Sequence, residues 1–501
     1  MISSVLIANR GEIAVRIIRG ARECGVRTIA VYSEPDRLSP HVLEADEAYC
    51  IGPAASVDSY LRGETLIELA KTVGAEAIHP GYGFLAERAD FAAAVEGAGL
   101  VFIGPTSDTI AAMGDKTEAR RRMADSDVPI VPGLTDAVAD ADEAEKKATE
   151  IGYPVLLKAS AGGGGKGMRV VEKPEDLTRA FEAASREALA AFGDGSVYIE
   201  RYLARPRHIE IQVLGDAHGN TVHLGERECS IQRRHQKLVE EAPSSVLTEE
   251  ERTAMGQAAV RAAEAVGYRG AGTIEFLYED GEFFFLEMNT RIQVEHPVTE
   301  MVTGVDLVEW QLRIASGEKL TFTQSDVELT GHSIECRITS EDHLSGFLPS
   351  TGVITHLKIP TGPGVRWDGG VIEGSEVSLH YDPLLAKLVV HGADRKAAIR
   401  RMSRALEELM VAGVETCAPL HRRVMEEQDF KAGALSIRYL DEHPELLEAD
   451  APEEMMIAAT IAAALLEDEH RRGGPPRIKR PSSEPLNAWR RAVHPWGADR
   501  C

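Results

Sequence analysis

The first 110 residues alternate short apolar runs with segments of helical periodicity. "VLIAN" and "TIAVY" predict buried strands, and "EIAVRIIRGAREC" between them places Ile13, Ile17 and Ala21 on one helical face. "EAIHPGYG" and "LVFIGP" repeat the strand-then-turn pattern. This order of elements predicts an α/β fold that begins with a doubly wound unit.

The pattern then divides the chain into smaller units. "PVLLKAS" and "MRVV" predict two strands around "AGGGGKG", and a helix through "PEDLTRAFEAASREALAAF" leads to the strand "SVYIERYL". Residues 206–330 are rich in predicted strands, and "HSIECRI" opens a further α/β part that reaches residue 447. After residue 448 the pattern predicts a helix and then a stretch rich in proline and glycine.

Composition narrows the class of protein. The net charge of −25 argues against a nucleic-acid partner, because phosphate binding needs an excess of basic residues. The six cysteines show no metal-type spacing and predict a reduced, cytoplasmic protein. The longest apolar run, near "MMIAATIAAALL", has about 12 residues, too few to cross a bilayer.

The C-terminal stretch differs in charge from the rest. From Arg471 onward there are eight basic and two acidic residues, a net of +6, which leaves −31 for the remainder of the chain. This asymmetry fits a flexible tail that docks on an acidic surface of this chain or of a partner. A plain disordered terminus fits it equally well.

The glycine-rich loop after Lys158 is the first candidate for chemistry. Gly162, Gly164 and Gly167 formally match a dinucleotide fingerprint, but the loop leads into a strand rather than a helix. Lys166 is followed by glycine rather than by Ser or Thr, so this is not a Walker A loop either. A flexible surface turn is the simple alternative, but four consecutive glycines are costly, which favours a lid that closes over phosphates.

"GTIEFLYEDGEFFFLEMN" predicts a hairpin, and its register decides whether two acids can meet. With a two-residue turn at Asp280 and Gly281, Tyr278 opposes Phe283. Glu275 and Glu287 would then point to opposite faces of the sheet.

A three-residue turn over residues 279–281 gives a different result. Glu275 then opposes Phe285, Glu287 opposes Thr273, and the two carboxylates become diagonal neighbours on one face. A glycine at the last turn position suits the left-handed residue of such a turn, so we predict this register.

Two acids on one face of an apolar hairpin repel each other unless a cation neutralises them. Ligation by Glu275, Glu287 and Asn289, all through oxygen, suits Mg²⁺ or Mn²⁺. A solvent-facing polar strip is the alternative, and the apolar run "FFFL" argues against it.

A polar residue recurs at every second position after that apolar run. If the chain stays extended, Glu287, Asn289, Arg291, Gln293 and Glu295 line one wall. The first two would hold metal, Arg291 and Gln293 would bind a small planar oxyanion, and Glu295 would act as a base. By themselves several other groups fit ordinary surface or structural roles better than chemical ones, namely Lys116, Lys158, His208, Gln232, His235 and Lys237.

Five motifs in order make the chain resemble biotin carboxylase, the ATP-grasp component of biotin-dependent carboxylases. They are "IANRGEIAVRI", "AIHPGYGFLAE", "KASAGGGGKGMRVV", "ERECSIQRRHQK" and "EMNTRIQVEHPVTE". The resemblance covers about residues 1–447. It implies a Rossmann-like N-terminal domain at 1–115, an ATP-grasp domain at 116–320 with a mobile lid at about 130–203, and a C-terminal domain at 331–447. Residues 448–501 would be a helix plus a flexible basic tail.

The resemblance also implies roles for individual residues. ATP contacts are implied at Lys116, Lys158, Gly164, Gly165, Glu200, Arg201, Tyr202, Leu203, His208, Gln232, His235, Glu275 and Glu287. Two metal ions are implied at Glu275, Glu287 and Asn289. Bicarbonate contacts are implied at Lys237, Arg291, Gln293 and the backbone of Val294. A general base is implied at Glu295, and biotin contacts are implied at Arg337 and Tyr82, Arg337 stabilising the enolate of biotin. Arg201 replaces a lysine that is common at the adenine hinge, and Lys166 stands where arginine also occurs.

The activity implied is ATP-dependent carboxylation of biotin with bicarbonate through carboxyphosphate. Because the chain has no Met-Lys-Met sequence, biotin is expected on a separate carrier protein, with a separate carboxyltransferase subunit. The family also implies a homodimer. An enzymatic rival is another bicarbonate-using ligase, such as the carbamoyl-phosphate type, and a rival of a different class is a catalytically silent assembly subunit.

Overall fold

The structure is a computed structural model that describes residues 1–133, 138, 140–159, 168–192, 195–448 and 453–472. It divides into two compact units, Met1–Leu447 and Glu448–Cys501. The predicted glycine loop, including Gly164 and Gly165, lies outside the described residues, as does most of the basic tail. None of the helices in the described ranges has the length and apolar character needed to span a bilayer.

The N-terminal part is a five-stranded parallel sheet, as the alternating pattern predicts. Its strands follow the order Glu47–Gly52, Arg27–Ser33, Ser4–Ile7, Ala77–His79 and Val101–Phe102. The first strand is fully buried, as expected for a parallel sheet covered on both faces. Helices of this part are Gly11–Glu23, Pro40–Glu44, Gly63–Thr72, Ala89–Gly97 and Ser107–Gly114, with short 3-10 turns at Glu34–Leu38 and Ser56–Asp58.

An eight-stranded sheet forms the centre of the large unit. Its order is Glu282–Asn289, Gly270–Glu279, Arg207–Gly215, Thr221–Arg233, Gln236–Ala242, His332–Thr339, Leu384–Gly392 and Val365–Gly369. All of its neighbouring strands are antiparallel. The sheet therefore continues from the predicted ATP-grasp segment into the C-terminal segment without a break.

A separate three-stranded sheet, here called the lid sheet, lies within residues 130–203, the segment expected to form a lid. Its order is Arg169–Val171, Val155–Ala159 and Val197–Arg201, and the helices Ala141–Ile151 and Leu177–Phe192 pack against it around a small core of their own. Backbone of Arg201 donates to Pro132 at 2.8 Å, which attaches this sheet to the chain that precedes it.

Helices cover the central sheet and complete the C-terminal part. They are Lys116–Asp125, Glu249–Ala265, His296–Thr303, Leu307–Ala315, Arg395–Glu408, Ala418–Glu426, Gln428–Ala432 and Tyr439–Glu442. Short 3-10 turns lie at Pro174–Asp176, Gln324–Asp326 and Pro444–Leu447. Small two-stranded pairs are Glu341–Asp342 with Leu348–Pro349, Gly352–Val353 with Glu376–Val377, and His356–Lys358 with Met410–Ala412.

The second unit contains the predicted C-terminal helix, which runs over Glu453–Arg472. Ile457, Ile461 and Leu465 recur every four residues along it and are each more than half exposed. The helix that the sequence predicts for this segment is therefore confirmed.

Candidate active site

Two acidic residues face each other on the hairpin at the edge of the central sheet. Glu275 on Gly270–Glu279 pairs directly with Glu287 on Glu282–Asn289. Directly opposed residues of antiparallel strands carry their side chains on the same face. The expectation that these two carboxylates share a face is therefore met.

The predicted register of this hairpin is wrong. The turn has two residues, Asp280 and Gly281, both with positive φ (52° and 86°), and Tyr278 pairs with Phe283. Left-handed backbone at both turn positions matches the twist of the strands, which favours the shorter turn. A bulge at Leu286 then shifts the register by one residue, and this extra residue brings Glu287 opposite Glu275.

Lys237 lies at the centre of the acidic cluster. Its Nζ donates to Glu210 at 2.5 Å, to Glu295 at 2.7 Å and to Glu275 at 2.9 Å. Burial alone would lower the pKa of Lys237, but the three carboxylates outweigh it and raise the pKa well above the ordinary value. The ammonium is therefore held in place and charged, which fits the predicted role of Lys237 in anion binding.

Arg337 is held between two carboxylates. Its Nε donates to Glu240 at 2.6 Å and its Nη2 donates to Glu295 at 2.9 Å. Burial opposes ionisation of Glu295, but Lys237 and Arg337 outweigh burial and hold the pKa of Glu295 well below its usual range. An ionised carboxylate at Glu295 fits its predicted role as a base.

The chain after the hairpin strand does not stay extended. The strand ends at Asn289, and residues 290–295 form a loop that leads into the helix His296–Thr303. The single wall predicted for alternate positions is therefore wrong beyond Asn289. Arg291 turns to Glu87, with Nε to Oε2 at 2.9 Å, whereas Gln293 turns inward and donates to Glu275 at 2.8 Å.

Several of the residues predicted to contact ATP lie on the three-stranded sheet and on the strand Arg207–Gly215. Lys158 forms an ion pair with the buried carboxylate of Glu200, which also accepts from Arg120 at 3.2 Å. His208 lies 3.1 Å from Glu275, measured from Nε2 to Oε2. The remaining predicted residues take separate positions. Gln232 is buried beside His208, and Leu203 is buried. Arg201 forms an ion pair with Glu282, Tyr202 is half-buried, and His235 is exposed.

Tyr82 reaches the site from the N-terminal sheet. Its hydroxyl donates to Glu12, and Glu12 pairs with the buried Nζ of Lys387 at 2.9 Å. Lys387 also donates to the carbonyl of Val294 at 3.0 Å. The backbone predicted to bind bicarbonate is therefore tied to both the N-terminal and the C-terminal parts of the chain.

Three known families match successive parts of the chain. The family described as "Biotin carboxylase, N-terminal domain" matches residues 1–110, "Carbamoyl-phosphate synthase L chain, ATP binding domain" matches 115–323, and "Biotin carboxylase C-terminal domain" matches 335–442. The chain belongs to the biotin carboxylase family.

Individual biotin carboxylase relatives cover nearly all of the large unit. The biotin carboxylase of Haemophilus influenzae is 54% identical over 443 residues, which are 88% of this chain and 98% of the relative. Biotin carboxylase 1 of Bacillus subtilis is 53% identical over 443 residues, again 88% of this chain and 98% of the relative. Enzymes of this family are ATP-grasp ligases, so the predicted enzyme class and mixed α/β fold class are confirmed.

A solved structure shows the same fold with ligands. The biotin carboxylase domain dimer of 2-oxoglutarate carboxylase from Hydrogenobacter thermophilus, in complex with MgADP, ADP and bicarbonate, is 51% identical. It has a TM-score of 0.83, and the match covers 90% of this chain and 100% of that one.

The candidate metal residues of this biotin carboxylase family member fit a hard divalent cation. The donor set is oxygen-rich, with Glu275 and Glu287 opposed and Asn289 beside Glu275, its Nδ2 at 2.8 Å from Oε1. Such a set suits Mg²⁺ or Mn²⁺ better than the softer transition metals. The backbone of Lys116 begins the helix Lys116–Asp125, while its side chain lies outside the described residues.

Sequence analysis missed several residues that hold the site together: Glu12, Glu87, Arg120, Glu210, Arg227, Glu240 and Lys387. The alternation of polar and apolar residues could have indicated Glu210, together with Gln212 two residues later. In "RHIEIQ" they alternate with isoleucines and follow His208 on the same face of one strand. The others come from distant segments, and no local pattern indicates where they meet.

Proposed function

We propose that this protein uses ATP and bicarbonate to carboxylate biotin borne by a separate carrier protein. The observation that carries the proposal is the meeting of Lys237, Glu295 and Arg337 beside the opposed carboxylates of Glu275 and Glu287. In this proposal Lys237 would bind the anion, Glu295 would accept a proton and Arg337 would be a second cation, all next to a candidate metal site. This is the set of groups that bicarbonate activation by ATP requires.

The nucleotide would lie against the lid sheet, the segment Glu200–Leu203 and the strand carrying His208. Lys158 would give up its pairing with Glu200 to contact phosphate as a point charge. Glu275, Glu287 and Asn289 would hold Mg²⁺ or Mn²⁺, which would neutralise charge on the phosphates. Gly164 and Gly165 would close over them and exclude water, which otherwise hydrolyses the intermediate.

Bicarbonate would bind to Lys237, Arg291, Gln293 and the backbone of Val294, next to Glu295. One bicarbonate oxygen attacks the γ-phosphorus, the bond from that phosphorus to the bridging oxygen of ADP breaks, and Glu295 accepts the bicarbonate proton. Because neighbouring cations hold the pKa of Glu295 well below its usual range, we expect proton transfer to accompany attack rather than to precede it. The products of this step are ADP and carboxyphosphate.

Carboxyphosphate would then break into carbon dioxide and phosphate inside the closed site. The phosphate takes the ureido proton of biotin, and the ureido nitrogen attacks carbon dioxide to form carboxybiotin. Arg337 stabilises the negative charge that develops on the ureido oxygen through a charge-assisted hydrogen bond. Once Glu295 is protonated, it competes less with the ureido oxygen for the guanidinium of Arg337. Proton transfer to Glu295 therefore favours the contact between Arg337 and biotin.

The proposed partners are a second copy of this chain, a biotin carboxyl carrier protein and a carboxyltransferase subunit, in the cytoplasm. Relatives include subunits of pyruvate, 2-oxoglutarate and methylcrotonoyl-CoA carboxylases, so the catalytic unit is shared among different acceptors. We propose that the transferase subunit sets the acceptor and that this chain catalyses the first half-reaction.

The direct test is ATP hydrolysis by the purified full-length chain with free biotin. Hydrolysis that depends on bicarbonate and is stimulated by biotin supports the proposal. Hydrolysis that depends on bicarbonate but ignores biotin would favour a ligase of the carbamoyl-phosphate type. No hydrolysis at all would favour a silent assembly subunit.

A further inference from the structure

A fully buried guanidinium lies directly behind the proposed bicarbonate pocket. Arg227, on the strand Thr221–Arg233, has no exposed side-chain surface. All five of its N–H groups donate to side chains, over distances of 2.5–3.0 Å. The acceptors come from two neighbouring strands, from the loop and from the helix that follows it: Glu210, Gln212, Thr273, Gln293 and Thr299.

One of these contacts fixes the orientation of the Gln293 amide. Arg227 can only donate, so the Gln293 oxygen, 2.6 Å from Nη2, must face Arg227. The carboxylate of Glu275 accepts from Gln293 Nε2 at 2.8 Å, which sets the same orientation from the other side. Gln293 therefore presents its NH₂ group to the pocket, and a donor is what an oxyanion needs.

A second contact fixes the position of Lys237. Glu210 is fully buried, with Oε1 at 2.5 Å from Arg227 Nε and Oε2 at 2.5 Å from Lys237 Nζ. The carboxylate is thus held between two cations, and its orientation determines where the ammonium lies. Planar, forked geometry allows one guanidinium to control both Glu210 and Gln293, which the point charge of a lysine cannot do.

We infer that Arg227 is a positioning residue for the bicarbonate pocket, acting through Gln293 and through Glu210 on Lys237. It does not touch the anion itself. The inference rests on the proposed function, since it names the groups that aim the bicarbonate contacts. A purely structural role would predict lower stability without a selective change in bicarbonate binding.

The test is steady-state ATP hydrolysis by the full-length Arg227→Lys variant at saturating biotin and MgATP, with bicarbonate varied. We expect the KM for bicarbonate to rise roughly tenfold, because about one charge-assisted hydrogen bond to an aimed donor is lost. The KM for ATP should rise less than the KM for bicarbonate, since Gln293 and Lys237 reach the proposed nucleotide contacts only through Glu275. An unchanged bicarbonate KM would overturn the inference.

Arg252→Lys is the matched control. Arg252 Nε donates to Glu226, the residue before Arg227, from the helix Glu249–Ala265 at 2.9 Å. This substitution also weakens a pair between an arginine and a glutamate, and the glutamate lies on the same strand as Arg227. Glu226 and Arg227 are successive strand residues, so their side chains point to opposite faces. We expect a lower thermal midpoint and an unchanged KM for bicarbonate. A rise equal to that of Arg227→Lys would show a general strand effect and overturn the inference.

Thr273→Val and Thr299→Val decide the question if Arg227→Lys does not fold. Each removes one hydroxyl acceptor from the guanidinium at nearly constant volume and charge. We expect each to raise the bicarbonate KM about threefold by loosening Arg227. A wild-type KM for bicarbonate in both threonine variants would overturn this inference but not the proposed function. A wild-type protein without bicarbonate-dependent hydrolysis would instead overturn the proposed function, and this inference with it.

Discussion

Glu275 lies directly opposite Glu287 because the hairpin accommodates one extra residue, Leu286, as a bulge. If Leu286 instead took a regular place in the ladder, it would oppose Glu275, and the two-residue turn would place the acids on opposite faces of the sheet. The bulge therefore determines whether the hairpin can offer two carboxylates to one cation. Bulges are frequent beside active sites for this reason, since they redirect a side chain without changing the strand order.

Glu287→Gln should raise the Mg²⁺ concentration needed for half-maximal ATP hydrolysis by about tenfold or more. Loss of one of two facing carboxylates removes a charged oxygen ligand and leaves a neutral one. The measurement is a Mg²⁺ titration at fixed total ATP. Glu250→Gln, at an exposed position of the helix Glu249–Ala265, is the control and should titrate like the wild type. A normal Mg²⁺ requirement in Glu287→Gln would remove Glu287 from the metal set.

The fold and the candidate groups of the site could be predicted from sequence to different degrees. Period-two and period-3.6 patterns report whether a segment is a strand or a helix, and they located the N-terminal strands and the hairpin correctly. They do not report a one-residue bulge, because "FFFLEMN" reads as a regular strand whether or not Leu286 is accommodated. The shared face of Glu275 and Glu287 was expected, whereas the register that produces it was not.

Residues 290–295 show a second limit. Alternation of polar residues continued through Arg291, Gln293 and Glu295, and it suggested one continuous wall. The backbone turns instead, because Glu87 captures the backbone N–H of Thr290 and the guanidinium of Arg291 from the N-terminal part. Contacts between segments so far apart leave no periodic signal, and only the tertiary fold reveals them.

Arg337→Ala should reduce biotin carboxylation at least about a hundredfold while the affinity for ATP changes less than about threefold. Arg337 contacts Glu240 and Glu295, on the opposite side of Lys237 from His208, so its removal spares the nucleotide side. Losing a buried charge-assisted contact to a developing anion costs about 3 kcal/mol. Carboxybiotin formation and nucleotide binding are measured separately, and equal losses in both would contradict the assignment of Arg337.

Two buried acids on neighbouring strands near Arg337 should respond oppositely to amide substitution. Glu240 pairs across strands with Glu335, and both carboxylate oxygens of Glu335 have no hydrogen-bond partner among the described residues. Burial raises the pKa of Glu335 well above its ordinary value, which favours the neutral form of its carboxyl. Glu335→Gln should therefore keep activity at pH 7.5 within about threefold of the wild type.

Glu240→Gln should instead lower the turnover number about tenfold. Glu240 accepts from Arg337 Nε at 2.6 Å, and an amide loses the charge that anchors the guanidinium. Burial raises the pKa of Glu240 to about 6, so the anchor is ionised at pH 7.5. Parallel assays of the two variants check the contrast. A larger loss in Glu335→Gln than in Glu240→Gln would contradict it.

Acid should destabilise the N-terminal sheet through a buried histidine. His41 is fully buried, and burial lowers its pKa from 6.5 to about 4. Because the folded state binds the proton less well than the unfolded state, stability is fully present above about pH 6.5 and falls as pH drops toward 4. By pH 5 the free energy of unfolding has fallen by about 2 kcal/mol.

His41→Gln should therefore lose less thermal stability between pH 7.5 and pH 5 than the wild type. The control is His380→Gln, at an exposed position, which should lose as much as the wild type. Thermal midpoints followed by intrinsic fluorescence at the two pH values measure this difference, and equal shifts in wild type and His41→Gln would place the acid sensitivity elsewhere.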